Sequence, residues 1–151
     1  MQMSLNLDID YVATAKKVTN FLDKKLDRYL ALSGKQRFDL KSPSMDGMQK
    51  APTKGNASEN RMININIAEN VVDCVGQAMR NLTSESQQIL LSRYSESMMV
   101  YKIAEELNYS ASTFTRRQEK ALCEFADRFE FQVIKHGLQD EVVDLHVYSK
   151  N

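Results

Sequence analysis

The chain has 151 residues, with 20 Lys or Arg against 20 Asp or Glu and a formal net charge of zero, enough for one compact domain or one domain with an appended arm. Its 42% hydrophobic content suffices for a core, and a charged fraction of 26% is ordinary. No run of 18 apolar residues occurs and no apolar stretch lies near Met1, so neither a membrane span nor a signal peptide is expected.

Residues from about Asp10 to Ser33 read as a long helix. Val12, Ala15, Val18, Leu22, Leu26 and Tyr29 or Leu30 give its apolar stripe, and Gly34 supplies a stop signal. Lys16, Lys17, Lys24, Lys25 and Arg28 cover the rest, either as a solvated face or as an interaction surface. Residues 35–57 hold both prolines (Pro43, Pro52), Gly47 and Gly55, and few large apolar residues. They read as a flexible basic linker, because a structureless segment of about twenty residues is uncommon inside a compact domain.

Ser58 opens a second helix to about Leu82, with Ile63, Ile67, Val71, Val75, Ala78 and Met79 as its seam. The alternation Ile63-Asn-Ile65-Asn-Ile67 has strand character, so its start is open. Thr83, or Ser84 with Gln87 in a capping-box spacing, then begins a helix to about Ser95 that carries Ile89, Leu90 and Tyr94.

The most specific segment is 100–122. Val100, Ile103, Ala104 and Leu107 recur at three- and four-residue steps and give a short helix one apolar face. Asn108 stands where the chain must turn sharply, and Asn tolerates a left-handed backbone better than most residues. Ser110 is the N-cap candidate for the next helix, with Ser112 as its rival. That helix is expected from Ala111 to about Phe129. At about 100° per residue, Phe114, Ala121, Leu122 and Phe125 converge on one side. Ser112, Arg116 and Lys120 fall opposite, with Thr113 beside them, and Thr115 and Arg117 flank the two sides. Arg117 stands near the inward edge and Gln118 inside the core stripe, where apolar residues are more usual. This is the division that a helix-turn-helix imposes: apolar residues anchor the second helix while hydroxyl and guanidinium groups project towards a DNA groove. Arg offers a planar fork for guanine edges or phosphate, and Ser and Thr suit either kind of contact. The plain alternative is a helical bundle whose polar face is merely solvated.

Charge is segregated along the chain. Residues 16–54 carry a net of +6 and residues 110–122 a net of +2, while 1–15, 55–109 and 123–151 are acidic. Such a distribution suits a protein with particular surfaces for phosphate. Beyond Phe131, Val142, Val143, Leu145, Val147 and Tyr148 suggest a short strand or a clasp laid back on the body. His136 and His146 are isolated in sequence and no metal-ligand spacing surrounds either, so both are expected to be structural or surface residues. Cys74 and Cys123 are expected as reduced thiols in a cytoplasmic protein. No Gly-rich phosphate loop, nucleophile motif or paired His ligands occur. No catalytic residue, metal or cofactor is therefore assigned, and an enzyme is not expected.

Leu82 to Leu122 resembles the promoter-reading C-terminal domain of sigma factors, through Gln88-Ile-Leu-Leu-Ser-Arg-Tyr94, Lys102-Ile-Ala-Glu-Glu-Leu107 and Ser110-Ala-Ser-Thr-Phe114. Over almost its full length the chain more closely resembles the autolysin regulatory protein (ArpU) family of phage-encoded transcriptional regulators, with Lys41-Ser-Pro43 and Gly55-Asn56 matching its linker. Asn108 in place of the usual turn Gly and Gln118 in the core stripe depart from that pattern. The resemblance implies control of late or lysis-associated genes, with Ser112, Thr113, Arg116, Arg117 and Lys120 as the DNA-contacting set. The expected fold is all-α: an N-terminal helical arm (1–34), the linker (35–57), a helical DNA-binding domain (58–130) with its sigma-like helix-turn-helix at about 97–129, and a tail (131–151). Double-stranded DNA is the expected partner, with RNA polymerase and a second copy as further candidates and no membrane. A DNA-packaging component of the small terminase kind and a sigma-like factor are the competing readings.

Overall fold

A computed structural model describes residues 8–42 and 56–149, with side chains in the second stretch from Glu59 onward. Residues 43–55, the greater part of the expected linker, lie outside the described residues, as do 1–7 and the last two. Most of the described residues are helical, and the all-α expectation holds. The elements are α1 (Tyr11–Asn20), a π-helical turn (Phe21–Lys25), α2 (Leu26–Ser33), a 3-10 turn (Arg37–Lys41), α3 (Asn56–Arg80), α4 (Ser84–Tyr94), α5 (Val100–Glu106) and α6 (Ala111–Lys135).

The expected first helix is continuous through α1 and α2, but it is not regular. Val18, Leu22, Leu26 and Leu30 are all buried at four-residue steps. In an ideal helix each such step drifts by about 40°, so the stripe would rotate off the core. The π turn, in which the Leu26 N–H bonds the Phe21 carbonyl, absorbs that drift and buries Phe21 as well. Gly34 ends α2 at φ 72°, and Lys35 N–H donates back to the Leu30 carbonyl at 3.1 Å. Three residues expected in apolar seams stand out in solvent instead: Val12, Ile63 and Val100.

One hydrophobic core takes in every helix. Leu22 and Leu26 from α1–α2, Val71, Val75 and Met79 from α3, Ile89 and Leu90 from α4, Ile103 from α5 and Phe125 from α6 are each fully enclosed. Phe129 stacks on Phe125 at 5.4 Å between centroids and packs against Phe21 at 5.1 Å. Such ring pairs contribute about 0.5–1.5 kcal/mol beyond their area. The first 34 residues are therefore not a separate arm where they are described: α1 lies along α6 and α2 along α3. The start of the expected linker is likewise folded. Leu40, the one large aliphatic residue in the 3-10 turn, is 1% exposed, and Arg80 holds the Ser42 carbonyl at 2.8 Å.

The tail is a clasp. Ile9 and Tyr148 form a single antiparallel bridge. Asp10 N–H donates to the Val147 carbonyl at 2.7 Å, Ser149 N–H to that of Asp8 at 2.8 Å, and Val147 N–H to the buried Thr14 hydroxyl at 3.0 Å. Leu138, Val142 and Leu145 bury beneath it. Among the described residues no helix is long and apolar enough to cross a membrane.

Candidate nucleic-acid interface

The bend between α5 and α6 follows from three local choices. Asn108 sits at φ 58°, in the left-handed region. The Tyr109 N–H then closes back on the Ala104 carbonyl at 3.0 Å, ending α5. Ser110 starts α6, its hydroxyl accepting the Thr113 N–H at 3.2 Å, which decides between the two N-cap candidates. Ile103, Ala104 and Phe114 fill the angle between the helices. Tyr109, at the bend itself, is only half-buried, and its hydroxyl donates to the Glu85 carboxylate on α4.

α6 runs to Lys135, about one and a half turns beyond the expected end. Its inward side buries Phe114, Ala121, Leu122 and Phe125 as expected. Gln118 sits in the stripe half-buried, its amide oxygen accepting from the Arg93 guanidinium at 2.6 Å. On the outward side Ser112, Arg116 and Lys120 are exposed and Thr113 is half-buried. Among the described residues neither Arg116 nor Lys120 has an ion-pair partner. Arg117 is different. It lies 5.5 Å over the Tyr109 ring and its Nη1 is 3.4 Å from Glu85 Oε2. The structure thus brings Ser112, Thr113, Arg116 and Lys120 onto one open face and leaves Arg117 at its edge, held by α4.

The α6 N-terminus adds to that face. Ser110 and Thr113 hydroxyls bond at 3.0 Å, and the Thr115 hydroxyl turns back to the Ala111 carbonyl at 2.9 Å, away from any ligand. The unpaired N–H groups of the first turn and the helix dipole favour an anion there. Further along the same side the charge reverses. An open groove of about 680 Å³ is lined by Arg116, Glu119 and Lys120 at one end and by Glu124, Asp127, Glu130 and His146 towards the tail. Polyanion contact is favoured at the first three turns of α6 and opposed beyond them.

Sequence spacing missed two polar clusters beside this face. Glu124 accepts the Thr83 N–H and the hydroxyls of Thr83 and Ser86, capping α4 from α6. The expected Ser84–Gln87 capping box is not what holds that end, since Gln87 donates to the Met79 carbonyl at 3.0 Å. The second cluster surrounds His146, which is not isolated in the fold. Its ring nitrogens lie 2.7 Å from Asp144 Oδ1 and 2.7 Å from Asp127 Oδ1, and Glu130 is 3.9 Å away. Both nitrogens donate only in the imidazolium form. Burial is the largest influence on this His and acts to lower its pKa, but the hydrogen bonds to Asp127 and Asp144 and the field of Asp144 and Glu130 outweigh it and raise the pKa. Glu130, Asp144 and His146 are near enough to share a cation, yet a ring whose two nitrogens already face carboxylates has no lone pair turned towards one. His136 is structural, its Nδ1 2.8 Å from the Gln132 carbonyl.

No family model matches the chain, and no solved structure does. The autolysin regulatory protein ArpU of Enterococcus hirae is 31% identical over 137 residues, which cover 89% of this chain and 96% of that protein. The chain belongs to the ArpU family. At 89% coverage the match takes in most of this ArpU-family chain, the stretch around Asn108 included.

Proposed function

We propose that this ArpU-family protein is a sequence-specific, DNA-binding transcriptional regulator of phage or prophage origin that controls late or lysis-associated genes. It works in the cytoplasm by binding rather than by catalysis, and it needs no cofactor. The first three turns of α6 enter the major groove of double-stranded DNA. Arg116 reads a base edge bidentately, Ser112 and Thr113 meet phosphate or base, and Lys120 meets phosphate. Arg117 joins them after leaving Glu85. RNA polymerase is the second partner at the promoter.

One observation carries this reading. The chain turns at Asn108 with φ 58°, and the next helix leaves Ser112, Arg116 and Lys120 exposed together. The relative's description as a regulator of autolysin supports a role in gene control. Genome-wide mapping of bound DNA in the host tests it. Bound sites at promoters of lysis or late genes are expected. Occupancy confined to a packaging locus, or none above background, would remove the regulatory reading.

A further inference from the structure

The C-terminal half of α6 carries an apolar face that nothing among the described residues covers. Phe131 is 62% exposed and Ile134 57% exposed, one helical turn apart. Val143, 62% exposed on the tail, joins Ile134 at the rim of a pocket of about 100 Å³ between α6 and the tail. Single exposed apolar residues need no explanation, but a contiguous set that includes an aromatic ring marks a contact surface.

Charge around this face is sorted. Taking about 100° per residue with Phe131 at the centre, Arg128 and Lys135 lie about 60° and 40° to one side, and Asp127 and Glu130 about 40° and 100° to the other. A surface with opposite charges on its two flanks is complementary to itself when the pairing axis runs along the helices, because a rotation about that axis sets each basic flank against the partner's acidic one. An axis across the helices would set like against like.

We infer that this face is where two copies of the chain meet, paired about a two-fold axis that runs along α6. The choice of axis has a second support, which rests on the DNA-binding reading. Thr113 is 18 residues from Phe131, or about 27 Å along the helix. Head-to-tail pairing would separate the two reading segments by about 54 Å, which matches neither one DNA turn nor two, since a turn is about 34 Å. Pairing along the helices sends both N-terminal halves out of the same end, where they can splay into neighbouring grooves.

Analytical ultracentrifugation of the full chain tests the pairing. The wild type is expected to sediment as a dimer at concentrations of tens of micromolar, and Phe131→Glu to weaken association roughly tenfold or more while the far-ultraviolet circular dichroism spectrum, and with it the helical fold, stays the same. Lys135→Glu alone and Glu130→Lys alone are each expected to weaken it. An equimolar mixture of those two variants restores it, since in the mixed pair the reversed charge at position 135 of one faces the reversed charge at position 130 of the other. A wild type monomeric up to about 100 µM, or a Phe131→Glu chain that sediments as the wild type does, overturns the inference. Binding to a single DNA half-site is measured on the same samples. If no sample binds DNA, the DNA reading fails while the sedimentation result stands by itself.

Discussion

Asn108 gives the sharpest test of the bend, because the two conformations open to it rank substitutions in opposite orders. In the left-handed region a Cβ meets the following carbonyl, which costs about 1–2 kcal/mol for an ordinary residue and nothing for Gly. In a continuing helix the order reverses, with Ala better than Gly by about 1 kcal/mol. With φ at 58° and the side chain exposed, Asn108→Gly should equal or exceed the wild type, and Asn108→Ala should fall about 1 kcal/mol below the Gly variant. For a chain of this size the gap is about 2–4 °C in Tm. Urea unfolding followed by circular dichroism measures it directly. An Ala variant more stable than the Gly variant would mean that α5 and α6 run on as one rod, and the helix-turn-helix would be lost with it.

Glu124→Ala removes three hydrogen bonds at the start of α4. It should cost about 1–2 kcal/mol in urea unfolding, because the site is only partly shielded from water; no change would remove Glu124 from the capping role. The clasp should be pH-dependent. His146 has a raised pKa, so its contribution is complete below the unfolded value of about 6.5 and is lost as pH rises through the folded value. Asp144 is lowered: burial pushes its pKa up, but hydrogen bonds from the His146 backbone and ring more than reverse that. Its contribution is therefore present above about pH 4 and lost on acidification. Hydrogen-exchange protection factors at the Asp10, Val147 and Ser149 amides, taken relative to the intrinsic base-catalysed rate, should fall above neutral pH in the wild type and show no such fall in His146→Gln, and wild-type protection independent of pH would contradict the assignment. Burial pushes the Cys74 thiol up to about 12 and the Cys123 thiol up to about 11. Neither should react with a disulfide reagent at pH 8 until the protein unfolds, and stoichiometric labelling of the native chain would refute this.

Local patterns made much of the fold legible. The stripe Val18–Leu22–Leu26, the left-handed Asn108 and the Ser110 cap are all decided within a few residues, so periodicity and backbone chemistry suffice. Features that depend on distant partners were not readable. Leu40 is a single large aliphatic residue in a basic stretch that runs into Pro43, and only α3 and α4 packed against its turn make it core. The tail's apolar residues pointed to a strand or a clasp, but its pairing of Tyr148 with Ile9 runs through backbone groups, which leave no mark in the side-chain pattern. His146 finds its carboxylates from both α6 and the tail, and Glu124 reaches α4 across 41 residues. For the candidate site, outward angles on α6 correctly gathered Ser112, Arg116 and Lys120. They did not reveal that Tyr109 and Glu85 hold Arg117, since both come from outside the helix.

The central claim is that the outward face of α6 reads DNA, and Arg116 tests it most directly. Its guanidinium is exposed and Arg116→Ala disturbs no packing. Fluorescence titrations against a mapped site and its single-base variants should show a loss of roughly 1–3 kcal/mol at the cognate site, with relaxed preference at one base pair. Lys120→Ala should instead weaken all sequences alike and flatten the salt dependence. Unchanged affinity and unchanged selectivity for Arg116→Ala, in a wild type that does bind, would contradict the account.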